Sequence, residues 1–374
     1  MGAGERPVSK EAAKMIRVDE IPPGQGRVPM IWRVREGAQA GIEQIAAWLH
    51  ERRERYDEQV RRHGALLLRG FHAPRSAADF EALLEPTAPV LQDYVGGTSP
   101  RQVVRGKIMT ATDVPGSYSI PLHQEMSYTA RLPARISFFC VTPAGRGGQT
   151  TLGNMREITG RLDAAVLHRF EEHGGVQLRR NLPLPEQTAQ RPGVPKPWTE
   201  VFGTTDRDQA SATARLKGWR AEWLDDGSMQ LWQDILPATR PHPDDGEVLW
   251  CNQIHIFAPV AALRWALNDG RAELAMRLSH ARATQPHLLD QVFYGDGSTI
   301  SDEDVLHIAR TLDEAAWPLD WQAGDFLMLD NMRVAHGRRQ YQGERSILTA
   351  LVGHADETRQ TPSVSRARPV PAHA

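Results

Sequence analysis

A histidine and a glutamate stand two residues apart, at His123 and Glu125, within the stretch PLHQEMSY. In an extended strand, side chains two positions apart project from the same face. A neutral imidazole and a carboxylate on one face supply two ligands of the two-histidine, one-carboxylate metal site, which suits non-haem Fe(II) and leaves coordination positions open. The third ligand has to be a histidine from elsewhere in the chain.

A histidine followed two positions later by an acidic residue is weak evidence by itself. With 14 histidines and 46 acidic residues among 374, about two such pairs are expected by chance, and the chain contains three. Asp244 of the second pair belongs to a Pro-Asp-Asp-Gly turn, and turn chemistry accounts for it. The third pair, at His354, borders a polar tail. Only the pair at His123 has a predicted strand nearby and a candidate third ligand.

His336 is the candidate third ligand. It lies in the sequence DNMRVAHGR, after a run at residues 326–329 that is typical of a buried strand, and Gly337 allows a tight turn after it. Most single histidines in a protein core are hydrogen-bonded structural residues. His336 therefore carries weight only as a member of the whole set.

Two further residues indicate an anion-binding site. Arg345 precedes an apolar strand at residues 347–352, where an arginine is costly to bury unless it meets an anion. Its planar guanidinium suits bidentate binding of a carboxylate. Thr150 would add a hydroxyl hydrogen bond to the same carboxylate, although taken alone it is an ordinary turn residue.

The elements around these residues are mostly short strands. Strands are predicted at residues 65–71, 136–142 and 247–257, and helices at 40–63 and 301–317. Many short strands with helices inserted among them favour a mostly β, single-domain fold, a double-sheet jelly roll or a related barrel. We expect a flexible arm at residues 1–27, one domain at 28–355 and a disordered, proline-rich tail at 356–374.

Composition excludes several classes of function. The chain is 40% hydrophobic and 24% charged with a net charge of −2, which gives no electrostatic reason to expect nucleic acid or a membrane surface as partner. No apolar run approaches membrane-spanning length. Cys140 and Cys251 lie in apolar runs and are expected to be buried, reduced thiols of a cytoplasmic protein. The sequence does not predict an oligomeric state.

Taken in order, these motifs resemble a known family. Glu125 and His123, a GGQT motif ending at Thr150, DNMRVAHGR at His336 and an arginine-led strand resemble the taurine dioxygenase/TfdA-like Fe(II)/2-oxoglutarate oxygenases. Thr150 stands 27 positions after His123, the same interval as in that family. PLHQEMSY, with Asn-Gln at 252–253, is similar to the syringomycin-biosynthesis (SyrP-like) branch.

This resemblance implies a double-stranded β-helix that binds Fe(II) through His123, Glu125 and His336. It also implies that 2-oxoglutarate is a co-substrate with O₂, and that its far carboxylate meets Thr150 and Arg345. The interval from His336 to the arginine is shorter than in taurine dioxygenase, so Arg338 is a rival anion partner. The sequence also departs from the branch at residues 124, 149 and 151.

The resemblance further implies hydroxylation of an unactivated C–H bond in a small-molecule substrate of specialised metabolism, such as antibiotic biosynthesis. The substrate would be an amino acid or a relative, free or attached to a carrier protein. Desaturation or cyclisation with the same cofactors stays open, as do a zinc-dependent hydrolase and a non-catalytic metal-binding regulator. Tyr128, Asn252 and Gln253 are candidate substrate-binding residues, or else buried polar groups with satisfied hydrogen bonds.

Overall fold

A computed structural model describes residues 16–24, 27–35, 40–71, 75–88, 90–94, 100–192 and 195–354. The helices are α1 (Ile42–Glu51), α2 (Arg53–His63), α3 (Ala77–Thr87), α4 (Met155–Arg161), α5 (Ala164–Glu172), α6 (Trp198–Phe202), α7 (Arg207–Leu216), α8 (Ile254–Phe257), α9 (Pro259–Asn268), α10 (Ala272–Thr284) and α11 (Asp302–Glu314). The strands are β1 (Val18–Ile21), β2 (Met30–Val34), β3 (Ala65–Arg69), β4 (Leu91–Gln92), β5 (Val103–Arg105), β6 (Ile108–Thr110), β7 (Ile120–His123), β8 (Arg135–Thr142), β9 (Arg146–Gly147), β10 (Thr150–Asn154), β11 (Val176–Leu182), β12 (Arg220–Trp223), β13 (Met229–Trp232), β14 (Thr239–Pro241), β15 (Val248–Trp250), β16 (Gln291–Tyr294), β17 (Trp317–Leu319), β18 (Phe326–Asp330), β19 (Val334–Arg338), β20 (Tyr341–Gln342) and β21 (Ser346–Val352).

The larger sheet has nine strands, and its central strands are buried on both faces. Its order is β1-β2-β3-β18-β8-β21-β6-β5, with β4 also paired to β21, and β2 and β3 run parallel. Strands β3 and β18 are apolar at nearly every position because a packed layer covers each face of the sheet. Helices α1 to α3 form one of these layers, around Trp48, Tyr56 and Phe80.

A second sheet of four strands, β17-β10-β19-β7, covers the other face of the larger sheet. Leu122 of β7, Leu152 of β10 and Ala335 of β19 share one buried cluster with Phe138 of β8 and Leu327 of β18. Among the described residues, the strands of these two sheets form two facing layers and not a closed barrel. This is the arrangement of a double-sheet jelly roll. The prediction of a mostly β, single-domain fold with inserted helices is confirmed.

The chain between β10 and β17 is a long insertion that contains most of the helices and a third sheet, β12-β13-β11-β16. Strands β12 and β13 form a hairpin closed by Gly227, whose φ of +85° is readily adopted only by glycine. Strand β11 is paired on both sides, with β13 and β16. Side chains of β11 therefore have fixed positions in the insertion.

Two predicted elements are wrong in part. The helix predicted at residues 40–63 is interrupted at Arg52, which separates α1 from α2. The strand predicted at 247–257 ends with β15. Beyond it, the side-chain oxygen of Asn252 accepts a hydrogen bond from the backbone N–H of Ile254 and starts the turn into α8. This local hydrogen bond from the backbone to the Asn252 side chain forms a turn and overrides the apolar, strand-like composition of the segment.

The predicted N-terminal arm at residues 1–27 is too long. Residues 18–21 form β1 and pair in register with β2, from Val18 opposite Val34 to Ile21 opposite Ile31. Backbone hydrogen bonds therefore attach this segment to the larger sheet. Residues 1–15 of the expected arm and the expected tail at 356–374 lie outside the described residues.

Both cysteines are buried, free thiols, as predicted. Burial raises the pKa of Cys140 to about 12 and that of Cys251 to about 11, so neither is a reactive thiolate at neutral pH. Among the described residues, no helix is both long and apolar enough to cross a membrane.

Gly337 lies within β19 and not at a turn, contrary to the prediction from its place after His336. A Cβ atom at residue 337 would lie 2.4 Å from the carbonyl oxygen of Ile120 and 2.6 Å from Oγ1 of Thr151. These atoms belong to the strands on either side of β19. Glycine is therefore required for β7 and β10 to pair closely with this strand.

We expect Gly337→Ala to lower the free energy of unfolding by about 1–3 kcal/mol, because the added methyl group forces neighbouring strands apart. Equilibrium denaturation in urea measures the loss. Gly160→Ala is the matched control: Gly160 lies in α4 and nothing lies within 4 Å of an added Cβ. The control should gain up to about 1 kcal/mol from helix propensity. Equal effects of the two substitutions would contradict the packing argument.

Candidate active site

The two candidate histidines lie side by side on neighbouring strands. His123 is the last residue of β7, and His336 is the central residue of β19. The antiparallel register places them opposite each other, and their ring centroids are 4.5 Å apart. The backbone hydrogen bonds of the smaller sheet therefore set the separation of the two imidazoles.

Glu125 lies in a turn after β7, and not on the strand face as predicted. Met126, the next residue, has a φ of +55°, an uncommon value for a residue with a side chain. Asn331 fixes this turn: its Oδ1 accepts a hydrogen bond from the backbone N–H of Glu125 at 2.7 Å, and its Nδ2 donates to the carbonyl oxygen at 2.9 Å. The carboxylate thus reaches the histidines through a clamped turn.

The three side chains offer a compact set of metal ligands. One ligand atom from each of His123, Glu125 and His336 lies within 4.8 Å of the others. The contact of 2.9 Å between Nδ1 of His123 and the carbonyl oxygen of Pro121 assigns the proton to Nδ1 and leaves Nε2 able to bind a metal. Burial, with His336 nearby, lowers the pKa of His123 to about 3, so this imidazole is neutral. The donor set fits Fe(II).

A second group of potential ligands consists of His242, Asp244 and Asp330. The guanidinium of Arg333 already lies against this group, with Nη2 3.2 Å from Nδ1 of His242 and Nε 3.8 Å from Asp330. The Nε2 atom of His242 is also 3.0 Å from Asp330. This cluster is therefore an ion-pair network whose positive charge comes from an arginine.

Arg101 is a site residue that the sequence analysis missed. Its Nη2 donates to Oε2 of Glu125 at 2.5 Å, and the two side chains are only 3% and 4% exposed. Burial alone would raise the pKa of Glu125, but the positive charge of Arg101 holds it below its usual range. Nothing in the local sequence distinguishes Arg101 from other arginines. The contact becomes visible only when the chain is folded.

An inner cavity adjoins the metal ligands and is lined by His123, His336, Thr150 and Arg345. Arg345 donates to the carbonyl oxygen of Gly148 at 3.1 Å and pairs with no carboxylate of the described residues. Burial, reinforced by the neighbouring Arg338, lowers its pKa to about 10. A buried cation without a counter-ion is costly unless an anion binds it. The charge of this lining therefore suits a carboxylate, such as the one that 2-oxoglutarate carries.

Thr150 adds a hydrogen-bond donor to the inner cavity. Its Oγ1 accepts a hydrogen bond from Nε1 of Trp321 at 2.9 Å. Because the indole can only donate, the hydroxyl proton of Thr150 is available to a ligand. Thr150 and Arg345 together present a neutral and a charged donor to the same space.

Arg338, the rival anion partner, is engaged elsewhere. Its terminal nitrogens lie within hydrogen-bond distance of four backbone carbonyl oxygens between residues 112 and 118, the closest at 2.8 Å from Tyr118. These contacts tie the loop before β7 to β19. The geometry favours Arg345 over Arg338 as the residue that meets an anion.

An outer cavity of about 340 Å³ also borders the metal ligands, and its volume lies within the common range of about 300–1,000 Å³ for small-molecule sites. His123, Glu125, Tyr128 and Gln253 are among its lining residues. The Tyr128 ring packs edge-on against Phe257, with centroids 5.8 Å apart. The Nε2 atom of Gln253 donates to the carbonyl oxygen of residue 124 at 2.7 Å. The Gln253 side chain therefore also stabilises the turn that contains Glu125.

Asn252 does not line the outer cavity, but lines a smaller neighbouring cavity of about 20 Å³ together with Tyr128 and Gln253. Its Nδ2 donates to the carbonyl oxygen of Ala238 at 2.9 Å, and its Oδ1 accepts from Ile254. Both ends of the amide are thus used within the protein. The alternative interpretation, a buried polar group with satisfied hydrogen bonds, describes Asn252.

The chain is similar in sequence to a known protein family and to two relatives. It matches the family model described as Taurine catabolism dioxygenase TauD, TfdA family over residues 33–351. It is 28% identical over 297 residues to the dapdiamide synthesis protein DdaC of Enterobacter agglomerans, covering 79% of this chain and 84% of that protein. It is also 28% identical over 298 residues to a clavaminate synthase-like protein of Arabidopsis thaliana, with coverages of 79% and 83%.

Among solved structures, the chain is similar to the PvcB protein from Pseudomonas aeruginosa. The two are 17% identical with a TM-score of 0.47, over 95% of this chain and 96% of that one.

The family match spans most of the chain, from β2 to β21. It includes every site residue predicted from the sequence. The family requires Fe(II), 2-oxoglutarate and O₂. Two imidazoles and a carboxylate fit the metal, and the buried Arg345 fits the co-substrate anion. The chain belongs to the TauD/TfdA family of Fe(II)- and 2-oxoglutarate-dependent dioxygenases.

Proposed function

We propose that this dioxygenase hydroxylates an unactivated C–H bond of an amino acid or a related small molecule in specialised metabolism. The observation that carries the proposal is the arrangement of two cavities around one set of metal ligands. Both cavities are lined by His123, the inner one with buried cations and the outer one mainly with apolar side chains. A co-substrate anion and an organic substrate therefore have separate places beside the same metal.

Each ligand has a defined role in this proposal. His123, Glu125 and His336 hold Fe(II) and leave coordination positions for 2-oxoglutarate and O₂. Fe(II) bound there would supply the oxidising chemistry that removes hydrogen from carbon, and the overall balance would convert substrate, O₂ and 2-oxoglutarate into alcohol, succinate and CO₂. Asn331 holds the backbone of Glu125, and Arg101 keeps its carboxylate ionised and aimed at the histidines.

Glu125 also favours oxygenation over halogenation, because it fills the third protein position that a halide would otherwise need. Desaturation or cyclisation starts from the same removal of hydrogen and gives a product lighter by two hydrogens. A zinc hydrolase has no use for the buried cation Arg345 beside the metal, and a non-catalytic regulator has no use for the outer cavity. Oxidation of a substrate with 2-oxoglutarate uses all of these features, and among such oxidations we propose hydroxylation.

Two observations support the choice of substrate class and setting. DdaC, a relative, is named as a dapdiamide synthesis protein, and PLHQEMSY is similar to the SyrP-like branch. By this likeness the substrate is an amino acid, free or attached to a carrier protein, with Tyr128 and Gln253 beside it. The free thiols of Cys140 and Cys251 are typical of the reducing cytoplasm.

The proposal is tested by incubating the protein aerobically with Fe(II), 2-oxoglutarate and fractionated metabolite pools, and comparing masses before and after. We expect one compound to gain one oxygen atom, with one succinate formed for each product molecule. Glu125→Ala is the control and should form neither. A product lighter by two hydrogens would show desaturation or cyclisation instead, and the absence of succinate in every pool would contradict the proposal.

Substitution at the inner cavity tests the co-substrate anchor. We expect Arg345→Gln to weaken 2-oxoglutarate binding at least about tenfold, because a charge-assisted hydrogen bond contributes about 1.5–3 kcal/mol. Thr150→Val should weaken it less. The measurement is an anaerobic titration of the Fe(II) protein with 2-oxoglutarate, followed by the visible charge-transfer band of the chelated keto acid.

Arg338→Gln is the matched comparison for this titration. Because the Arg338 guanidinium binds backbone carbonyls, its loss should lower the free energy of unfolding more than it weakens 2-oxoglutarate binding. A larger loss of 2-oxoglutarate affinity in Arg338→Gln than in Arg345→Gln would show that Arg338 is the anchor.

A further inference from the structure

A second buried arginine, Arg180, lines the outer cavity, and the family motifs do not include it. Its side chain is 5% exposed. The Nε atom donates to Oδ2 of Asp290 at 3.1 Å, while the two terminal nitrogens make no hydrogen bond to any described residue. The free end of a guanidinium fork therefore faces the space in which we place the substrate.

The surroundings of Arg180 hold this fork in one position. Arg180 is in the middle of β11, in register with Leu231 of β13. Its guanidinium carbon lies 5.5 Å from the ring centre of Phe257, the same ring against which Tyr128 packs. Asp290, in turn, accepts a hydrogen bond from the backbone N–H of the residue after Arg180 at 2.7 Å. The donor is thus preorganised by a strand, an aromatic ring and a carboxylate.

The charges around the outer cavity leave room for an anion. Two other lining arginines, Arg191 and Arg271, are each paired with an aspartate outside the lining, at 2.8 Å and 3.1 Å. Burial lowers the pKa of Lys196; Glu200 raises it in part, and the nearby charges of Arg180 and Arg101 lower it further. Arg180 and Arg101 thus bring positive charge close to Lys196, and a bound Fe(II) would add to it.

We propose that Arg180 binds a free carboxylate of the organic substrate through its two terminal nitrogens, as guanidinium groups do in bidentate pairs. This inference rests on the proposed function, since it places the substrate in the outer cavity. Asp290, whose side chain is 27% exposed, is the adjacent acceptor for an ammonium group. Leu274, Leu278 and Trp265 offer apolar contacts to the rest of the molecule. The substrate class is an amino acid with a free carboxylate and an apolar body.

This assignment has a chemical consequence for carrier-bound substrates. An amino acid joined to a carrier protein as a thioester has lost the charge of the carboxylate that forms the bond. Such a substrate can use Arg180 only through a second carboxylate. Binding by free acids, and not by their amides, is therefore the signature of the site.

The test uses the full-length protein loaded anaerobically with Fe(II) and saturating 2-oxoglutarate. Calorimetry measures binding of each proteinogenic L-amino acid, and of its C-terminal amide, to wild type and variants. We expect at least one free acid to bind, and its amide to bind at least about tenfold more weakly, as for the loss of one charge-assisted hydrogen bond. Arg180→Gln should remove this difference in affinity. Arg180→Lys keeps the positive charge but should bind the free acid more weakly than wild type does.

Arg179→Gln is the matched control. Arg179 is the neighbouring residue of β11, but its guanidinium lies over the Trp232 ring at 5.5 Å and donates to Gln291, away from the cavity. The Arg179→Gln variant should bind free amino acids with the same affinity as wild type. The visible band of the Fe(II)–2-oxoglutarate protein shows that each variant keeps its metal site.

Three results would overturn the assignment: equal binding of acids and amides, undiminished binding of acids by Arg180→Gln, or no binding of any acid by wild type. Absence of the visible band in wild type is a different failure. It would contradict the proposed function, whereas the comparison of acid with amide would still report on Arg180.

Discussion

The pairing of β7 with β19 is the constraint on which the rest of the site depends. It places His336 opposite His123 through backbone hydrogen bonds, so the two imidazoles need no flexible side chain to meet. The close approach of the strands requires glycine at residue 337. Glu125 then joins the histidines because Asn331 clamps its turn from both backbone atoms. The ligands are positioned by rigid elements, as a preorganised metal site needs.

Two buried cations without a full complement of carboxylates flank this metal set. Arg345 faces the inner cavity, and Arg180 faces the outer one. Because an unpaired buried charge is costly, Arg345 is best explained by a ligand that brings a negative charge. Arg180 is paired with Asp290 through Nε, and its terminal nitrogens are available to a second anion. Arg338 and Arg333 differ, because their terminal nitrogens already contact acceptors of the protein itself. Buried arginines whose terminal nitrogens contact the protein stabilise the fold, and those whose terminal nitrogens face a cavity are candidates for ligand binding.

The sequence predicts what local pattern and order can encode. Apolar runs identified β3, β8 and β18, and the order of motifs brought together His123 and His336. Other features depend on contacts between distant segments. Arg101 reaches Glu125, and Arg180 reaches Asp290, without any spacing that marks them. Local pattern gave a wrong prediction at Asn252, where a hydrogen bond to the side chain forms a turn that ends the predicted strand. It was also wrong at Glu125, which approaches the histidines from a turn and not from the face of a strand.

The central claim is that His123, Glu125 and His336 hold an iron at which O₂ and 2-oxoglutarate react. The most direct measurement is turnover under oxygen-18 gas followed by mass spectrometry of succinate. We expect one labelled oxygen atom in succinate from wild type and no succinate from His336→Ala. Succinate that carries no label, or a product whose new oxygen comes only from water in a reaction that does not consume O₂, would contradict the claim.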